Sequence, residues 1–182
     1  MALQKDRRRI SVKGGGELQV REIDPGAGTF AALGFLDSTN FDDAYTMVDS
    51  IDDAGEFIDT KPGARAPVWK TVLKQTTKDE IDLMKDAAGK YFEVYYKVQL
   101  NNANYQEFLA PVCRIKPGMA LAFAAATERK IEIEIHFLWL KSALTRTPTA
   151  YNTTAGQYYI LVEGASATGV PTDAATVPQA AI

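Results

Sequence analysis

Lys130, Glu132, Glu134 and His136 occupy alternate positions, with Ile131, Ile133, Ile135 and Phe137 beside them, and they gather the chain's most reactive side chains into one short stretch. Two carboxylates and the only histidine could divide the work of a general acid, a general base and a proton shuttle. Strict alternation over this many residues predicts a half-buried β-strand, with isoleucines inward and charges outward. Same-face neighbours on a strand lie about 6.6 Å apart, so Glu132 and Glu134 could straddle a substrate. Proton transfer also needs a carboxyl tuned by burial or by a close charge, and nothing in the pattern buries either one. The row reads as the wet side of a strand, and a face lining a channel is wet as well. A small-molecule-binding β-barrel, or a barrel enzyme using the Glu132/Glu134/His136 face, is the alternative.

Other chemistry is thinner. Cys113 stands alone between Val112 and Arg114, where it reads as a small buried hydrophobe, and its pairing with His136 rests only on there being one of each. One cysteine and one histidine exclude a disulfide framework and the usual zinc sites. The stretch VKGGGELQV lacks both dinucleotide and P-loop spacing and precedes a strand, so it predicts no phosphate cradle. DSIDD and FDDAY do not make a calcium loop. No cofactor is expected, and no metal. The reading is that of a non-enzyme.

The elements that would position these residues follow from pattern. At 182 residues and a net charge of −3, the chain suits one domain with appended arms, and the bulk charge gives no nucleic-acid signature. No stretch approaches the roughly 20 apolar residues of a membrane span, and no apolar run follows the basic start as in a signal peptide. Synthesis in the cytoplasm, with the chain staying soluble or assembling there, is the expectation. Strands are predicted at GGELQVREI and TFAALGFL, joined through DPGAG, and at VWKTVLKQT. Thr77 and Glu80 form a capping box, and Ile81, Met84 and Ala88 follow at helical spacing up to Gly89, predicting a helix over about 78–88. KYFEVYYKVQL and YQEFLAPVCRI predict a hairpin with a bulge or edge at Pro111, MALAFAAAT a small-residue strand, and the glutamate row closes the meander. A last strand is predicted at 158–163, within an Ala/Thr/Pro-rich extension over 142–182.

Charge is polarised early in the chain. Residues 1–13 form a basic arm with Arg7, Arg8 and Arg9, while Asp52, Asp53, Glu56 and Asp59 concentrate in a long loop predicted over about 52–66. An arm and a loop of opposite charge on one protomer could pair head to tail between copies, an arrangement that generates rings and tubes. A nucleic-acid-binding module built on the arm is a third reading, and it predicts salt-sensitive DNA binding.

The order of features, from SVKGGGELQVREID and FAALGFLDS through VWKTVLKQTTKDEIDLM to KIEIEIHFLWL, resembles the tail tube (major tail) proteins of long-tailed bacteriophages over about 10–140. The Hcp proteins of type VI secretion share that fold. The resemblance implies a mainly β chain: a β-sandwich or half-barrel over 14–141 with one short flanking helix, a long inter-subunit loop and extended terminal arms. It implies a structural virion protein without catalytic residues, self-assembling into stacked, hexameric rings around a DNA-conducting channel. Its partners would be other copies of itself, the tape-measure protein, double-stranded DNA passing through the lumen and, in a contractile tail, a sheath protein. No membrane is implied. Glu132 and Glu134, or Glu93 with Lys97, become candidate lumen-lining residues, whose carboxylates would repel DNA phosphates. Arg7, Arg8, Arg9, Asp52, Asp53, Glu56 and Asp59 become candidate inter-ring contacts. The location implied is the virion tail, assembled in the host cytoplasm.

Overall fold

A computed structural model describes residues 16–23, 28–33, 36–43, 45–51, 57–73, 78–100, 103–116 and 131–173. The basic arm, Asp52, Asp53, Glu56, the Thr77 cap, the strand expected at MALAFAAAT, Lys130 and the end of the tail lie outside these residues. The chain is mainly β. Its strands are β1 (Glu17–Glu22), β2 (Ala31–Leu33), β3 (Leu36–Asp42), β4 (Tyr45–Ile51), β5 (Phe57–Arg65), β6 (Val68–Leu73), β7 (Phe92–Gln99), β8 (Tyr105–Ile115), β9 (Ile131–Phe137) and β10 (Ile160–Gly164). Among the described residues one α-helix, α1 (Lys78–Asp86), follows β6. The main sheet is antiparallel in the order β2-β1-β7-β8-β9-β6-β3, with β10 also on β8, and among the described residues β4 and β5 pair only with each other.

The long strand β8 organises the sheet. β7 runs along one of its edges, while the other edge is divided between β10 on Tyr105–Leu109 and β9 on Cys113–Ile115. Pro111, which has no N–H to donate, sits at the division, and the β7 register slips there, from Phe92↔Cys113 to Val94↔Ala110. Of the bulge or edge expected at Pro111, the register shift corresponds to the bulge, and a bulge bends its strand.

Bending lets the sheet curl onto itself. In a flat sheet β6 and β7, three steps apart, would be separated by about 14 Å. Instead the Trp69 and Tyr96 ring centroids lie 4.9 Å apart, and Trp69 meets Phe108 at the same distance. The inner faces of β1, β7 and β8 thus meet those of β6 and β9 as the layers of a sandwich do, with Leu18, Val20, Val94, Leu73, Ile133 and Ile135 buried between them. The outcome is a half-barrel with a packed interior. Ile81 and Leu83 of α1 pack on this core, and Gly89, at φ 78°, stops the helix in the left-handed region that glycine enters freely. Gly16 has its own reason to be glycine: its φ is +73°, and a side chain there would overlap the Tyr96 ring.

One expectation is corrected. The long loop over about 52–66 is largely a strand, since residues 57–65 form β5 and pair with β4 from Tyr45↔Arg65 to Ile51↔Phe57. Pro62 and Gly63 gave the stretch a turn-like look. In a two-stranded sheet, however, each strand is an edge, so a proline is tolerated, and the register shifts between Tyr45 and Met47 and between Ser50 and Ile51 absorb the irregularity.

Candidate functional site

Pairing across the outer face of β9 shows what surrounds the glutamate row. Glu132 faces Val72, Glu134 faces Lys70 and His136 faces Val68 on β6, while Arg114 of β8 faces His136 from the other side. Asp42 of β3 extends the His136 row. Among the described residues the face alternates in sign, with Asp42, Glu132 and Glu134 interleaved with Lys70, Arg114 and Lys116. Its charge is balanced.

Glu134 is the best-held member. Lys116 Nζ lies 3.2 Å from its Oε2, and His136 Nε2 lies 2.8 Å from its Oε1. The Lys116 hydrogen bond holds the Glu134 carboxyl below the usual range, with weaker help from the His136 and Lys70 charges. A general acid needs the opposite shift. Cys113 lies on the other face, fully buried, where its thiol donates to the Phe92 carbonyl at 3.0 Å and burial pushes its pKa up. The structure therefore keeps Cys113 and His136 apart, and the buried-hydrophobe reading of the cysteine holds.

The second candidate row is split. Lys97 is half-buried and its Nζ meets Glu17 at 3.0 Å, a contact that also lowers the Glu17 carboxyl. Glu93, expected on the same wet face, is fully buried beneath the residues that follow 141. It accepts from Arg21 on one oxygen and from Arg146 Nη2, at 2.5 Å, on the other. Burial pushes the Glu93 carboxyl up, and the Arg146 and Arg21 charges pull against it. Arg21 Nη2 and Arg146 Nη2 also donate to the Asp173 carbonyl, at 2.5 and 2.7 Å. Arg146 Nε lies 3.0 Å from Asp173 Oδ2, an ion pair outside hydrogen-bond geometry. The reason Glu93 is dry is that both faces of β7 are covered. Tyr95 and Leu109 pack with Tyr151, and Ile160, Val162 and Val170 lie against them. Glu107 sits in the same layer, accepting the Tyr95 hydroxyl and the amides of Thr168 (2.7 Å) and Gly169 (2.9 Å).

At the base of the β4–β5 hairpin a second polar cluster appears. Arg65 donates to both oxygens of Asp43, at 2.6 and 2.5 Å, and the Tyr159 hydroxyl donates to the same carboxylate at 2.6 Å. The Tyr158 hydroxyl donates to the Arg65 carbonyl at 3.0 Å, and the Arg65 guanidinium lies 5.1 Å from the Tyr158 ring centroid. Hairpin and C-terminal segment are thereby joined. Sequence patterns singled out neither cluster, because each joins residues far apart in the chain, and Arg146 and Tyr159 stand in turn-rich stretches without periodicity. Of the candidate inter-ring residues, only Asp59 is described, on β5 opposite Ser50.

Tyr159 also closes one side of an open apolar cavity of about 320 Å³ between β3, β6, β7, β8 and β10. Phe41, Trp69, Tyr96 and Phe108 supply aromatic walls, Leu161 stands at the rim, and Thr39 and Gln106 are its polar lining. Among the described residues no group of three or more His, Cys, Asp or Glu is placed to hold a metal ion, and no helix is long and apolar enough to cross a membrane.

No family model and no curated protein matches the chain. Several solved structures are similar to it in part. One is the tail of an empty GTA particle with C6 symmetry, at 16% identity and a TM-score of 0.39, covering 65% of this chain and 89% of that one. Another is an extracellular contractile injection system, the PVC sheath–tube complex in its extended state, at 10% identity and a TM-score of 0.41, covering 74% and 94%.

Proposed function

We propose that this chain is a structural subunit of a tail tube. Copies associate into stacked, hexameric rings around a channel that holds the tape-measure protein and later passes duplex DNA, in the virion of a long-tailed phage assembled in the host cytoplasm. The observation that supports this most directly is the β4–β5 hairpin. Among the described residues it pairs with no strand of the main sheet, and a two-stranded sheet alone is marginal in water. Such an element is stable when a neighbour covers it. The sheet also ends in strands, β2 and β3, that have a partner on one side only among the described residues, and open edges favour strand pairing between copies.

A balanced Glu132/Glu134 face would neither hold nor strongly repel a phosphate backbone, as suits a wall past which DNA must slide. Glu132, Glu134 and Lys97 remain the lumen-lining candidates, and Glu93 leaves the set because it is sealed within one subunit. Negative-stain electron microscopy of the purified chain over a concentration series, with mass photometry beside it, tests the proposal. Rings or hollow tubes are expected. A monomer at every concentration, unchanged by preformed tube ends as seeds, overturns it.

A further inference from the structure

The apolar cavity is unused by the proposed function, and so is the exposed Trp139. Trp139 is 47% exposed and Leu161 is 56% exposed, large apolar side chains left in water at the surface. Their settings match. Trp139 and Lys141 both face outward on either side of the buried Leu140, whose backbone is fixed by bonds to Gln157 and Gly156. Leu161 and Glu163 share one face of β10, and Glu163 lies opposite Gln106, which lines the cavity. One surface therefore offers an aromatic knob followed two residues later by a cation. The other offers an aromatic-walled cavity, a leucine rim and, two residues from the leucine, an anion.

We infer that Trp139 of one copy enters the Phe41/Trp69/Tyr96/Phe108/Tyr159 cavity of a neighbouring copy, with Lys141 paired to Glu163. The occupant is a second copy because knob and cavity, with complementary charges, are both present on this chain. A contact between two different patches repeats head to tail, so it closes rings or extends filaments and does not stop at a dimer. Indole burial in an aromatic pocket is the kind of contact that dominates an interface, since a tryptophan covers about 150–250 Å² and its ring meets other rings edge to face. The Lys141–Glu163 pair at the rim would set register more than affinity. β10 pairs only with β8 among the described residues, which leaves the cavity's rim accessible from that side.

This inference deepens the tube reading and rests on it, but it fails separately. The test uses the full chain and compares wild type with Trp139→Ala, Leu161→Glu, Lys141→Glu and the double exchange Lys141→Glu/Glu163→Lys. The first two should raise the concentration needed for assembly at least about tenfold, as loss of a central aromatic anchor does. Lys141→Glu should weaken assembly, and the double exchange should restore it, which a purely structural role for Lys141 would not do. As an independent readout, copies carrying Lys141→Cys are mixed with copies carrying Glu163→Cys, both keeping Trp139, and oxidised. A disulfide-linked dimer that forms only in the mixture supports the contact. Normal assembly of all four variants without the mixed crosslink overturns the contact and leaves the tube reading standing. A wild type that never assembles overturns both.

Discussion

At the scale of single residues, the informative groups are the buried ones. Burial pushes the Glu107 carboxyl up, but the Tyr95 hydroxyl and the Thr168 and Gly169 amides outweigh it, and the net shift is downward. A carboxyl depressed by folding stabilises the native state above its unfolded value of about 4.3, and that contribution disappears as pH falls through the lower folded value. Protection of the Thr168 and Gly169 amides against hydrogen exchange should therefore hold at neutral pH and collapse only as pH falls below the ordinary glutamate range. Glu107→Gln should remove the same protection at pH 7, at a cost of about 1.5–3 kcal/mol for bonds to a charged acceptor. Unchanged exchange in the variant would mean that the segment is held by its apolar contacts alone. Glu93 makes the stronger case. Arg146→Ala leaves a buried carboxylate with one of its two guanidiniums, and urea unfolding should show a loss of about 3–5 kcal/mol. Glu93→Gln combined with Arg146→Met should cost less than the two single changes added together, because the pair is coupled.

At the scale of elements, the hairpin depends on its base. The hydrogen bonds from Arg65 hold the Asp43 carboxyl below its usual range against the opposing effect of burial, and the Tyr159 hydroxyl adds a smaller lowering. The sign is again that of a depressed acid: the latch is intact above the unfolded value of about 3.9 and is released as pH falls through the lower folded value. Asp43→Asn or Tyr159→Phe should speed amide exchange across β4 and β5 at pH 7, by a factor of about 5 for a net loss near 1 kcal/mol, and leave β7 and β8 unchanged. Equal acceleration everywhere would show that the cluster supports the whole sheet. These elements also mark how far the sequence was legible. Alternation found β7, β8 and β9, and Pro111 announced the bulge, because one buried face imposes a period of two. The hairpin escaped because Pro62 and Gly63 mimic a turn, and nothing local says that a strand is an edge on both sides. The wet face of β9 was legible residue by residue. Its charge balance was not, because Lys70, Arg114 and Lys116 reach it from two other strands. Glu93 misled because a polar residue on an alternating strand looks wet until the covering segment is known.

At the scale of the whole molecule, the residues after 141 decide whether the half-barrel is one folding unit or a core with an appendage. They look like an appendage in sequence, rich in turns and small residues. In the structure they seal the outer face of β7 and β8, burying Tyr151 and Arg146 and leaving Tyr95, Leu109 and Glu93 dry. Removing them would return those apolar groups to water at about 1.5–3 kcal/mol for each fully buried side chain, and would leave Glu93 with Arg21 as its described ion-pair partner. Two or three such losses equal most of the 5–15 kcal/mol that holds a typical domain together. A chain ending at Lys141 should therefore be unfolded or aggregated, with no cooperative thermal transition, while the full chain melts as one unit. The alternative outcome is equally definite. If the shortened chain melts cooperatively, the covering segment is an independent strap, able to detach without unfolding the sheet beneath it.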